Sequence, residues 1–314
     1  MLVYVAKRLV LVVPVVFAVS LVCFLLVHIA PGDPLISVLP PDASADLAEQ
    51  MKRAYGFDRP LPVQFGIWIW NAVQGNLGTS IATGRSVTEE VMRAVGNTVM
   101  LAIVAAFIGF VFGLLFGFAA GYFRDTWVDR AVTTIAITGV SMPHYWLGMV
   151  LVIIFSVQLG WLPAVGIGPG GWAWDWVHIQ FLVLPAVTLS VIPMGIVART
   201  VRALVGDLLN QEFVSALRAK GLNEIRIFRH VVKNVAPTAI AVIGLQFGYL
   251  LGGSILVETV FSWPGTGFLL NSAIFQRDLP LLQGTILVLA LFFVFLNLLV
   301  DVAQAAIDPR IKRA

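Results

Sequence analysis

The chain has 314 residues, 59% of them hydrophobic and 12% charged, with a formal net charge of +3. A soluble domain carries about 25% charged residues. Half that share, with several apolar runs near 20 residues long, excludes an ordinary soluble protein and indicates an all-α polytopic membrane protein. The single cysteine, Cys23, excludes an intramolecular disulfide and a cysteine-based metal site. The four histidines (His28, His144, His178, His230) form no H-x-x-x-H pair, so no metal-ligating or metalloprotease residues are assigned.

Apolar spans read at about 9–29, 98–121, 132–159, 181–198, 237–257 and 283–305, which predicts six transmembrane helices in a single domain, 1–314. The first follows Lys7-Arg8 as a signal peptide would. Its apolar stretch of about 20 residues exceeds the usual signal core and no A-x-A site follows, so it reads as an uncleaved helix. Loop 30–97 opens on Pro and Gly, mixes acids with bases, and has room for a short helix or two in water. The second span carries Gly109, Gly113, Gly117 and Gly121, a small-residue stripe suited to close helix packing. The third span is the longest, which fits a tilted helix or one beginning in the interface. Pro14, Pro143, Pro185 and Pro193 bend or start helices. The fifth span has its own stripe, Gly244, Gly248 and Gly252. Glu258 and Asp301 stand near span ends, as structural anchors or as functional carboxylates.

Six spans place both termini on one side, and Lys/Arg counts choose it. The N-terminus, loop 122–130, loop 199–236 and the C-terminus (Arg310, Lys312, Arg313) hold 14 of the 20 Lys/Arg; the short loops 160–180 and 262–282 hold only Arg277. Positive charge favours the cytoplasmic face, so both termini are predicted there and loop 30–97 outside.

The stretch SALRAKGLNEIRIFRHVVKNVAP, residues 215–237, carries five Lys/Arg. Burying five such groups at the bilayer centre would cost roughly 12–18 kcal/mol, so the segment belongs in water. Residues 211–220 predict a short helix ended by Gly221 as a left-handed cap. Asn223 then caps a second helix, with Glu224 in its first turn. Phe213, Ala216, Leu217 and Lys220 share one face. On these grounds the segment reads equally as a solvated basic loop or as a docking helix for a partner groove. The basics lie in short loops between apolar spans and present no aromatic stacking platform, so nucleic acid is a poor reading of them and is not expected as a partner.

The same stretch resembles the EAA loop of bacterial ABC-importer permeases. Ser215, Ala216, Leu217 and Gly221 fall on the motif positions, with Ser215 where the family carries glutamate. Arg218-Ala219-Lys220-Gly221-Leu222, followed by Arg229, His230, Asn234 and Pro237, is similar to the peptide/nickel branch. PGDP (Pro31–Pro34), GNLGTS (Gly75–Ser80), GGSILVETVFSWPGTG (Gly252–Gly267) and NLLVDVAQAAIDPRIKR (Asn297–Arg313) occur in the family's order. The chain thus resembles the first permease subunit of a dipeptide/oligopeptide importer, with glutathione and nickel importers as alternatives.

That resemblance implies a type I importer permease fold in the bacterial plasma (inner) membrane, with a cytoplasmic coupling helix. It assigns ATPase coupling to Glu212, Phe213, Ser215, Ala216, Leu217, Lys220, Gly221 and Leu222. Gly244, Gly248, Gly252 and Glu258 become candidates for lining the path. Trp263, Pro264, Gly265, Arg277 and Asp278 become candidates for meeting a binding protein. The implied partners are a second related permease, two ATPase subunits and an extracytoplasmic solute-binding protein, besides the lipid bilayer. None of the five lysines precedes Ser or Thr, so the chain has no phosphate loop, and ATP with Mg is expected in the ATPase subunits. No G-x-S-x-G elbow occurs, and no catalytic residue is assigned. An ion-coupled secondary transporter using Glu258 is the competing class; the chain shows no inverted repeat in its favour. An intramembrane hydrolase lacks a nucleophile pattern.

Overall fold

The structure, a computed structural model, describes residues 13–25, 46, 49, 50, 53 and 58–307. The readings of Lys7, Arg8, His28, Pro31–Pro34, Arg310, Lys312 and Arg313 lie outside those residues. In chain order the helices are α1 (Val13–Leu25), α2 (Leu61–Val73), α3 (Val87–Tyr122), α4 (Trp127–Ser141), α5 (His144–Leu151), α6 (Trp176–Leu209), α7 (Glu212–Ala219), α8 (Glu224–Val260), α9 (Thr266–Phe275) and α10 (Leu279–Ile307). Helix α5 runs on as a π-helical turn, Val152–Gln158. Among the described residues the one β feature is an isolated bridge between Thr79 and Ser86.

Among the described residues four of these helices are long and apolar enough to cross a membrane, and α4 with α5 is a bent pair that makes either a fifth, broken span or a re-entrant loop. Helix α1 is the described part of the first expected span. The third apolar run is therefore not one tilted helix, because its two halves meet at 103°. Pro143 supplies the physical reason. It has no N–H to continue α4 and its ring disfavours helical backbone at the preceding residue. Met142 is accordingly extended, with ψ 133°.

The chain divides into two compact units, one of residues 99–263 with the end of α10 from Leu296, the other reaching Thr98 and including Pro264–Phe295. In the first unit one core gathers Leu101, Leu182, Leu184, Leu189, Leu250, Phe261 and Trp263. A second gathers Val197, Val201, Val205, Val231, Val235 and Ala239. The glycine stripe of α3 packs as expected from its spacing. A Cβ on Gly117 would lie 2.7 Å from the Val201 Cβ, and one on Gly121 2.6 Å from the Val205 Cβ. The backbones of α3 and α6 touch there because glycine leaves no side chain between them.

In the second unit the core gathers Leu77, Val87, Val91, Ala273, Leu281 and Leu287. Phe24 of α1 meets Phe65 and Trp68 of α2 edge-on and tilted, at 5.3 and 6.1 Å. The outer-loop motif Gly75–Ser80 is folded as a knot of turns. Gly75 and Gly78 have φ of 80° and 91°, and Thr88 Oγ1 donates to the Gly75 carbonyl while accepting from the Leu77 N–H.

Candidate functional site

The link between α6 and α8 is helix, glycine bend, helix, as its residues predict. Helix α7 ends in a complete Schellman motif. The Gly221 N–H donates to the Arg218 carbonyl at 2.9 Å, and the Leu222 N–H to that of Leu217 at 3.2 Å. Gly221 has φ +77°, the left-handed region where a Cβ is costly. The Asn223 side chain then accepts from the Arg226 N–H at 3.0 Å and starts α8.

Burial sorts the coupling candidates into two sets. Val214, absent from the expected apolar face, is fully buried and anchors α7. Phe213, Leu217 and Leu222 are half-buried, whereas Glu212, Ser215, Ala216, Lys220 and Gly221 are exposed. The apolar face thus runs through Phe213, Val214 and Leu217, and the small residues Ser215, Ala216 and Ala219 look outward beside an exposed Ile225 (79%). The outward face is uncharged at its centre, with exposed Glu212 and Lys220 at the two ends of the helix.

Polar contacts tie this link to the bundle. Arg218 Nε and Nη2 donate to the two carboxylate oxygens of Glu224 at 3.0 and 3.3 Å, and the Tyr122 hydroxyl donates to Glu224 Oε2 at 3.2 Å. Arg218 holds the Glu224 carboxyl below the usual carboxylate range. Deeper in the first unit, the Arg202 guanidinium grips the buried carboxylate of Asp129 with both Nε and Nη2. The Asp125 N–H and the Thr133 hydroxyl fill the remaining acceptor sites of that carboxylate. The sequence reading missed Asp129 and Arg202. They stand 73 residues apart, and each reads locally as a loop charge.

The path candidates fare unequally. Gly244 and Gly248 are half-buried; Gly252 is exposed, and a Cβ there would meet nothing within 4 Å. With Leu245, Tyr249 and Leu256 it forms an open face of α8 at helical spacing. Glu258 is fully buried, and its carbonyl accepts from the Trp263 N–H at 2.8 Å. In this structure it offers no surface to a passing solute.

Three of the binding-protein candidates, Trp263, Gly265 and Asp278, are likewise buried within this chain. Trp263 is fully buried in the first unit, stacked edge-on against Trp172 at 5.9 Å. Asp278 is buried in the second unit, accepting from Ser80 Oγ at 2.5 Å, from the Ala82 N–H and from the Leu281 N–H. Its carboxylate pins the outer loop to the start of α10, a role that excludes surface contact. Pro264 is half-buried and its carbonyl accepts from Asn97; Gly265 is buried at the start of α9. Arg277 alone of the five is exposed, in a left-handed conformation (φ 53°), beside exposed Ile274 and Phe275. Among the described residues no group of three His, Cys, Asp or Glu could hold a metal ion.

Comparison with known proteins gives the chain's relatives. Residues 109–313 match the family described as binding-protein-dependent transport system inner membrane component, and residues 1–102 match its N-terminal membrane component. The glutathione transport system permease protein GsiC of Escherichia coli O6:H1 is 42% identical over 313 residues, covering 99% of each chain. GsiC of Escherichia coli K12 is likewise 42% identical, and that of Shigella boydii serotype 4 is 41% identical, with the same coverage. Among solved structures, the inward-facing MetNI methionine ABC transporter superposes with a TM-score of 0.57 at 20% identity, over 69% of this chain and 96% of the other. That likeness is one of fold.

Proposed function

The chain belongs to the family of binding-protein-dependent transport system inner membrane components, and from that premise we propose that it builds half of an import path for glutathione or closely similar small peptides. It is an ABC-importer permease subunit with several membrane helices. The identity of 42% to glutathione permeases along 99% of both chains carries the substrate reading. This reading reverses the order expected from the sequence, placing glutathione, there an alternative, ahead of dipeptides, oligopeptides and nickel chelates.

The coupling loop supplies the mechanism. The outward face of α7, centred on Ser215 and Ala216, seats in a groove of an ATPase subunit that lies on the cytoplasmic side with both termini of this chain. ATP binding closes two such subunits, and the motion passes through α7 to α6 and α8. The open face of α8 around Gly252 lines the path shared with a second, related permease. Arg277 with Ile274 and Phe275 meets the solute-binding protein outside. The chain hydrolyses nothing itself; ATP and Mg are held by the ATPase subunits.

The test is uptake in a deletion strain. Loss of the gene should abolish growth on glutathione as sole sulfur source and ATP-dependent uptake of labelled glutathione, and restore both on complementation. Unchanged glutathione uptake with lost growth on dipeptides would return the assignment to dipeptides. Impaired nickel-dependent enzyme activity alone would assign nickel chelates.

A further inference from the structure

We propose that Glu224 is a positioning residue for energy coupling, the pin through which α7 is held at a set angle to the seam between α3 and α8. The inference rests on reading α7 as the coupling helix. Three elements converge on this carboxylate. Arg218, in the last turn of α7, reaches it with two nitrogens; Tyr122, the last residue of α3, reaches it with its hydroxyl; and Glu224 itself opens α8.

The contact continues inward on the same helix faces. Phe228, four residues after Glu224, packs edge-on against Tyr122 at 5.9 Å and Phe118 at 5.7 Å. Residues four apart share a face, so 224/228 on α8 docks against 118/122 on α3. Further in, Val231, Val235 and Ala239 belong to one core cluster with Val197, Val201 and Val205, against which Phe110, Leu114 and Phe118 pack. The covalent link between α7 and α8 is, by contrast, a glycine turn at Gly221 with nothing within 4 Å of its Cβ position. The Schellman bonds fix the backbone of the turn itself, and with no side chain packed around Gly221 the further tie between the two helices is made by side chains across the bend. The Arg218–Glu224 pair spans the bend and closes it.

The side chains of both partners are about half exposed, 49% and 51%. Exposed pairs contribute little to stability. Losing this one should therefore leave the permease folded and inserted, and reveal its effect on coupling alone.

The experiment uses the whole importer, reconstituted in vesicles with its ATPase subunits and binding protein, and measures labelled glutathione taken up per ATP hydrolysed. For Glu224→Gln the expected result is wild-type abundance, wild-type ATPase association and an uptake per ATP lowered about fivefold or more, the low end of a coupling between sites. Tyr122→Phe should lie between this variant and wild type. Exchanging the charges, Arg218→Glu with Glu224→Arg, should restore more than half of the lost ratio, while abundance and melting temperature stay at the wild-type value in the single and the exchanged variant alike, which a merely structural role would not produce. A wild-type ratio in Glu224→Gln, or an exchange no better than the single variant, overturns the inference. So does loss of ATPase association in Glu224→Gln, which would make the carboxylate part of the docking surface. Wild-type transport by Ala216→Arg would instead overturn the coupling-helix reading on which the inference rests.

Discussion

Ala216 and Val214 sit two positions apart on α7 and face opposite ways. Ala216 is exposed, so Ala216→Arg leaves this chain's own packing intact. A groove fitted to a methyl group does not admit an arginine, and overpacking an interface costs about 1–3 kcal/mol. The expected outcome is normal membrane abundance with lost ATPase co-purification and lost uptake. Val214 is fully buried, and Val214→Ala should cost roughly 1–2 kcal/mol, seen as a lower melting temperature of the detergent-solubilised chain. At Gly221 the strain lies in the backbone. With φ +77° and open space around it, Gly221→Val should cost about 1–2 kcal/mol through its Cβ alone, loosening the turn and lowering uptake at matched abundance. Asp278 and its neighbour Arg277 make a matched pair outside. Asp278→Ala removes three hydrogen bonds to a buried carboxylate and should destabilise by roughly 2–3 kcal/mol, while exposed Arg277→Ala should leave the melting temperature unchanged.

Helix pairs give the next set of expectations. The stripe glycines Gly109, Gly113, Gly117 and Gly121 of α3 leave little or no room. The Cβ of Gly117→Ala would fall 2.8 Å from the Ala198 carbonyl oxygen as well as 2.7 Å from Val201. Backbone cannot step aside as a side chain can, so the helices must separate, at about 1–3 kcal/mol. Gly252→Ala on α8 meets nothing and should fold normally. Comparing membrane abundance of the two variants checks this, with Gly252→Ala reduced in uptake if its face lines the path. The broken span follows a different rule. Irregular backbone inside a bilayer survives only where protein or a water-lined cavity satisfies it. The break at Met142-Pro143 is therefore expected to face protein or a water-lined cavity within the assembly.

Across the whole molecule, length and charge set the topology. Helix α3 has 36 residues. At 1.5 Å per residue that is about 54 Å, well beyond a hydrocarbon core of about 30 Å, so its polar first turns stand outside the bilayer. Positive-inside counting predicts α7 in the cytoplasm and residue 44 on the other side. In a Cys23→Ala background, cysteines at Ser44 and Ser215 should label from opposite faces with an impermeant reagent; labelling of both from one face would refute the topology. The purified chain alone should bind no nucleotide, since it lacks a phosphate loop, and vanadate-sensitive ATP hydrolysis should require its partner subunits.

Hydropathy alone located the apolar runs of α3, α6, α8 and α10, because a bilayer demands an apolar run of fixed length wherever a helix crosses; it gave six spans where four helices, or five with the bent pair, meet that length among the described residues. Local chemistry alone was enough for the turn at Gly221, the cap at Asn223 and the packing role of Gly109 to Gly121. Each depends on residues a few positions apart, within reach of a single helical turn. Pro143 was legible as a break point, but the 103° angle depends on what α4 and α5 pack against. Burial was not legible where polar or aromatic residues sit in loops. Trp263 and Asp278 read as surface groups until Trp172 and Ser80 cover them. The grip of Arg202 on Asp129 and the meeting of Tyr122, Arg218 and Glu224 join residues as far as 102 positions apart. Such partners are chosen by how helices pack in space, and a linear pattern carries no trace of which distant charge will face which.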